Sequence, residues 1–165
     1  MAIASARAGI IAAFTDTKTT GGQVGQLPAD LTLLDYFTDG TSDGQVSKAY
    51  YNRTAPTSTP TDLDLAGGVQ DFYGATLTFA TVKVIALFNR EASGSGRNLT
   101  LGGAASNAFQ GPFGNVNDVI TIPPGGKLIL VAPNTGWTVT AGTGDLLRLL
   151  GNAAGTSIDL VIMGT

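Results

Sequence analysis

Asp62 and Asp64 are the pair of side chains in this sequence best placed to do chemistry. They lie in Thr61-Asp62-Leu63-Asp64-Leu65, a strict alternation with the period of a half-buried strand. Residues two apart on a strand share a face, which sets the two carboxylates roughly 6–7 Å apart. That arrangement suits a calcium ion, or the carboxylate pair of a hydrolase that would also draw on Glu91. The competing reading is a solvent-facing polar edge opposite core-facing Leu63 and Leu65. No third acid lies nearby in the sequence, so the edge is favoured. Asp35, Asp39 and Asp43 are spaced by four, but they sit among turn signals rather than in an EF-hand loop.

Other chemistry is restricted by composition. The chain has no histidine and no cysteine, which removes the Ser-His-Asp triad, an imidazole base, His- or thiolate-ligated metal and disulfides. Gly142-Thr143-Gly144 begins like a dinucleotide fingerprint, yet Leu147 stands where the third glycine belongs. Gly94-Ser95-Gly96 lacks the spacing of a nucleophile elbow. No glycine cluster is followed by the lysine of a phosphate-binding loop. The sequence therefore leads to the expectation of a non-enzyme, with no catalytic residues, no metal and no cofactor.

Charge is scarce. Charged residues make up 13% of the 165 residues, against 43% hydrophobic, and the formal net charge is −3. The nine basic residues are scattered, so phosphate contacts to a nucleic acid are not expected. No apolar run approaches the ~18 residues of a membrane-crossing helix. With so little charge to cover it, the surface must be rich in Thr, Ser, Asn and Gly, or be hidden in a permanent assembly. Eleven of the twelve acids are Asp, a residue of turns and caps rather than helix interiors.

The elements that would position any site are strands. Candidates are Gln45–Arg53, Thr61–Leu65, Ala75–Asn89 (with a bulge or bend near Ala80), Asn98–Leu101, Asn107–Gln110, Asp118–Ile122, Lys127–Ala132, Gly136–Thr140, Asp145–Gly151 and Ser157–Met163. Gly, Pro and Asn turns separate them. Asp145–Leu150 contains helix formers, but six residues between glycines is short for a helix, and strand is preferred. Several short strands at a spacing of roughly 8–12 residues predict an all-β fold, a jelly-roll-like β-sandwich or barrel. Aromatics on such a scaffold invite a carbohydrate reading, with Trp137 at a strand start and Tyr50, Tyr51, Phe72 and Tyr73 elsewhere. A lone Trp in a β-rich chain is more often core or protein interface.

Composition shifts near residue 45, dividing the chain into an extended N-terminal arm (1–44) and a β-sandwich domain (45–165). Pro28-Ala29-Asp30 could open one helical turn, with Leu31, Leu34 and Tyr36 forming a short sticky patch and Phe37 beside it. These four are the expected partner-binding residues. The arm would gain order by lying on another surface, the alternative being an irregular lead-in folded over its own domain.

Four stretches carry a resemblance: Asp71-Phe72-Tyr73-Gly74-Ala75-Thr76-Leu77, Gly102 to Phe109, Pro124 to Leu130, and Gly136 to Leu147. With the ending Asp159 to Thr165, they resemble small β-rich virion structural proteins of tailed bacteriophages, over about residues 60–165 and excluding the arm. The resemblance implies a capsid decoration or cement protein on the capsid exterior. Its partners would be the major capsid protein and itself as a homo-oligomer, a trimer. The alternative is a receptor- or glycan-binding module of a tail fibre or spike.

Overall fold

Strand follows strand through the whole of the computed structural model, which describes residues 3–20, 23–54, 56 and 58–165. In chain order the strands are β1 (Ala6–Thr20), β2 (Gln23–Asp39), β3 (Gln45–Val46), β4 (Lys48–Thr54), β5 (Thr61–Asp64), β6 (Val69–Gln70) and β7 (Thr76–Leu77). They continue as β8 (Thr81–Asn89), β9 (Leu99–Gly102), β10 (Val119–Ile122), β11 (Lys127–Val131), β12 (Trp137–Thr138), β13 (Leu146–Gly151) and β14 (Ile158–Gly164). No helix occurs among the described residues.

Nine of these strands form a sandwich. One sheet runs β11-β8-β14-β4, with β12 added alongside β8, and the other runs β10-β9-β13-β5. The antiparallel pairs are nested: β4 with β14, β5 with β13, β8 with β11, β9 with β10. The chain is thus a long hairpin rolled up on itself, with β14–β8 joining the nested pairs side by side within one sheet and β13–β9 within the other. This is the strand order of a jelly roll. The all-β sandwich expected from the sequence is present.

Alternation explains why these segments are strands. On β14, Ile158, Leu160 and Ile162 are fully buried between the sheets, while Asp159 and Val161 take the other face. On β13, Leu147 and Leu149 are fully buried and Arg148 lies between them on the outside. The helix formers of Asp145–Leu150 therefore yield to a period of two, because only a strand places both leucines in the core. Phe79, Ile85, Leu87, Leu99, Leu101 and Phe109 complete that core.

The phase slip expected near Ala80 takes two forms. Residues 78–80 leave the ladder, separating β7 from β8. A bulge then shifts the pairing of β14 between Met163, opposite Val84, and Gly164, opposite Val82. Val82 consequently joins the inner core and Val84 an outer one. Lys83, the extra residue, is only 2% exposed. Two other expected strands are shorter than their patterns suggest. Residues 107–110 contribute an isolated bridge, Ala108 to Leu146, and 136–140 shrink to β12.

Among the described residues of the N-terminal 44 there is no helical turn, and most are strand rather than an irregular lead-in. β1 and β2 form a single antiparallel hairpin in continuous register, from Ala6 opposite Phe37 to Thr20 opposite Gln23. The expected turn at Pro28-Ala29-Asp30 is strand. Ile10 and Ile11 lie opposite Leu33 and Thr32, and such β-branched and aliphatic cross-strand pairs favour a ladder over one helical turn. Pro28 is tolerated because each strand of a two-stranded ladder has an open edge. The end of β2 also pairs in parallel with β3, Thr38 with Gln45 and Asp39 with Val46.

Candidate interaction surfaces

The acids singled out by spacing are engaged in structural bonds. Arg148 donates Nε to Asp62 Oδ1 at 2.7 Å and Nη2 to Oδ2 at 2.8 Å, a bidentate clamp across β13 and β5. Those hydrogen bonds hold the Asp62 carboxyl below the ordinary carboxylate range, against partial desolvation. Asp64 Oδ1 accepts the backbone N–H of Ala66 at 2.8 Å and shapes the turn leaving β5. Glu91 Oε1 accepts the N–H of Ser157 at 2.7 Å, and its other oxygen lies 3.6 Å from Arg97. Leu63 packs on the core and Leu65 lies in it, as expected for a polar edge backed by leucines. Among the described residues no group of three acids converges as a metal site would require.

Among the described Asp and Glu side chains, Asp145 is the buried one. Its Oδ2 accepts the N–H of Gly142 at 2.5 Å, tightening the 140–145 turn. Its Oδ1 is buried without a hydrogen-bond partner.

Contact surface is concentrated on the hairpin and on the sheet beneath it. Phe37 is 3% exposed and packs with Val46, Val84 and Met163 on the outer face of the β11-β8-β14-β4 sheet. Ala6 and Ala8 close this second core from β1. Of the four residues expected to bind a partner, Phe37 is thus spent on holding the hairpin to its own domain. Leu31, Leu34 and Tyr36 remain exposed, Tyr36 at 71%.

Those three do not form one patch. On a strand Leu31 shares its face with Leu33 and Phe37, whereas Leu34 shares the opposite face with Tyr36. The face that is buried at the base therefore continues outward through the pairs Ile10–Leu33 and Ala12–Leu31, where Ile10, Leu33 and Leu31 are all exposed. Ile11, on the other face, is 75% exposed. Past Gly9–Leu34 the ladder runs eleven more rungs, roughly 35 Å at strand rise. No strand beyond the hairpin's own two pairs with it there among the described residues.

Where the hairpin leaves the sheet it opens two clefts, one on each side of Gly9. One, of about 370 Å³, is walled by Ala8, Leu34, Val84, Ala86, Ile129 and Met163, with Arg7 also lining it. The other, of about 390 Å³, lies between Ile10 and Leu33 on one side and Ile129, Val131 and Trp137 on the other. Trp137 is half-buried against the core, so its indole is a cleft wall and not a platform at a loop tip. Farther along the sheet the apolar surface gives way to charge. Lys127 Nζ sits 4.6 Å above the Phe88 ring, and Asp159 accepts from Arg53 at 2.8 Å and Arg90 at 2.6 Å.

Phe72 and Tyr73, aromatics that the sequence reading offers without identifying a built tip, are 88% and 82% exposed at the turn of the β6–β7 hairpin. Asp71 followed two residues later by an N–H donor, with Gly74 next, is the signal that marks a built turn.

Comparison with protein-family models, curated proteins and solved structures returned no match. The class is therefore defined by architecture alone: a jelly-roll sandwich carrying a long β-hairpin with exposed apolar side chains in the half nearer the sandwich.

Proposed function

We propose that this chain is a non-enzymatic virion structural protein that binds the outside of a phage capsid and stabilises it, with the β1–β2 hairpin as its attachment arm. The observation that carries the reading is the uncovered apolar hairpin. A two-stranded hairpin is at best marginally stable alone in water, and this one bears Ile10, Ile11, Leu31, Leu33 and Tyr36 in solvent. Such an element gains its stability by lying on another protein. Its open strand edges offer backbone pairing and the apolar residues on both faces of the half nearer the sandwich offer burial, so many modest contacts add up.

The partner in this reading is the major capsid protein, with the sandwich facing outward and copies of the chain associating as a trimer. The jelly roll supports it by analogy only, since capsid and lectin domains share that order and fold does not dictate function. The capsid enters this reading through the resemblance of residues 60–165 to small phage virion proteins noted in the sequence. Nucleic acid, membrane and cofactor have no part in it. The glycan-binding alternative drew on Trp137 near a loop; a half-buried indole supports it less well.

The test is co-sedimentation of the purified protein with capsids of the encoding phage assembled without it. Saturable binding and a raised disruption temperature of the capsid are expected. Absence of binding would overturn the reading.

A further inference from the structure

We propose that the Phe72–Tyr73 tip is a knob that seats in the cleft between the hairpin and sheet of a second copy of this chain. The tip is built rather than loose. Asp71 Oδ1 accepts the N–H groups of Tyr73 at 2.8 Å and Ala75 at 2.9 Å, and the Asp71 N–H donates to the Ala75 carbonyl at 2.8 Å. Gly74 takes the left-handed backbone conformation (φ 84°) that closes the turn. The two rings meet edge to face, centroids 5.6 Å apart. Behind them Val69 and Leu77, paired across β6 and β7, are buried in the sandwich core. Two aromatic rings are thus held rigidly in water, the arrangement that loses least conformational freedom on binding.

The same chain carries the complementary socket. The cleft of about 370 Å³ has an aliphatic floor centred on Ala86, with Ile129 and Val161 directly opposite it on the neighbouring strands. Charge matches as well. Asp71 lies at the base of the knob, and Arg7 lines the cleft with no ion pair among the described residues. Within one chain Phe72 is almost wholly exposed, so knob and socket do not fill each other intramolecularly. Knob and socket are different patches, which makes the contact head-to-tail; such contacts close into a ring when the rotation permits. The inference is independent of whether the hairpin binds a capsid.

The test uses the full chain, whose lack of cysteine leaves introduced thiols free of competition. Phe72→Cys and Ala86→Cys proteins are mixed and oxidised, and the native mass is followed by light scattering across concentration. A disulfide-linked heterodimer is expected to form from the mixture faster than the homodimer of either variant alone, and equal rates would count against the proposal. Phe72→Ser with Tyr73→Ser should weaken self-association at least about tenfold, as loss of an aromatic hot spot does, with a melting temperature that matches the native chain's at high dilution because both rings are exposed in the single chain. A native chain that stays monomeric would overturn the proposal, as would an oligomer that survives the double substitution. Loss of capsid binding with the oligomer intact would assign the knob to the capsid and overturn it too.

Discussion

The ammonium of Lys83 donates to the carbonyl of Ser42 at 2.6 Å, tying the bulge of β8 to the loop on which the hairpin turns into the sandwich. The Lys83 side chain is buried although Ser42 itself lies on an exposed loop, and the same loop is pinned by the Gly44 N–H on the Pro133 carbonyl at 2.9 Å. The bulge explains the placement, since the extra residue sends Lys83 sideways instead of into the core or the clefts. Together with Phe37, this bond fixes the angle at which the hairpin leaves the domain.

Lys83→Met should keep the fold and free the loop. A charged donor to a carbonyl is worth about 1.5–3 kcal/mol, partly offset here by relief of the cost of burying an ammonium. The expected net loss in urea unfolding is about 1 kcal/mol. Hydrogen exchange at Gly44 should accelerate well beyond that of β14. Equal acceleration everywhere would mean that Lys83 supports the sandwich and not the hairpin base.

Phe37→Ala should detach the hairpin at larger cost. Truncation of a buried Phe typically loses about 3–5 kcal/mol, and here the cavity opens in the second core beside Val84 and Met163. Near-complete loss of exchange protection in β1 and β2, with β13 and β14 still protected under native conditions, is the expected pattern.

Acid should weaken the sandwich in a defined direction. Asp62 is held below the ordinary carboxylate range by hydrogen bonds from Arg148, and Asp159 by those from Arg53 and then Arg90. A carboxyl with a lower pKa folded than unfolded contributes fully above its unfolded value, near about 4, and loses that contribution as pH falls through the folded value. Urea midpoints should therefore be flat from pH 7 to about 5 and drop below about 4. Asp62→Asn should cost about 0.5–1 kcal/mol at pH 7 and nothing further in acid, giving a shallower decline. An unchanged acid slope would show that the clamp does not contribute.

How much of this was legible in the sequence depends on what held each segment in place. The strands of the sandwich were legible because their alternation is enforced by a core on one side, as with Leu147 and Leu149 on β13. The polar-edge reading of Asp62 and Asp64 followed from the same alternation, although nothing local marked Arg148, 86 residues away, as the clamp. The hairpin was hidden because its strands are apolar on both faces near the sandwich, through Ile10 and Ile11 and through Leu33 and Leu34, and mainly polar from Thr15 to Gln26, so no period stands out. Its pairing depends on the partner strand. Likewise nothing in the sequence foretold that Phe37 would turn inward while Tyr36 stays in water. That division depends on Val84 and Met163, which only the fold brings beside it.

The central claim, that the hairpin is the arm of attachment, is tested most directly by shortening it without disturbing its base. Ile10 and Leu33 are register partners, so replacing residues 11–32 by Asn-Gly closes the ladder with a two-residue turn that suits the strand twist. Phe37, Ala6, Ala8 and the Lys83–Ser42 bond all remain. The shortened protein should melt as cooperatively as the full chain and lose co-sedimentation with capsids of the encoding phage. Capsid binding undiminished by the truncation would contradict the account.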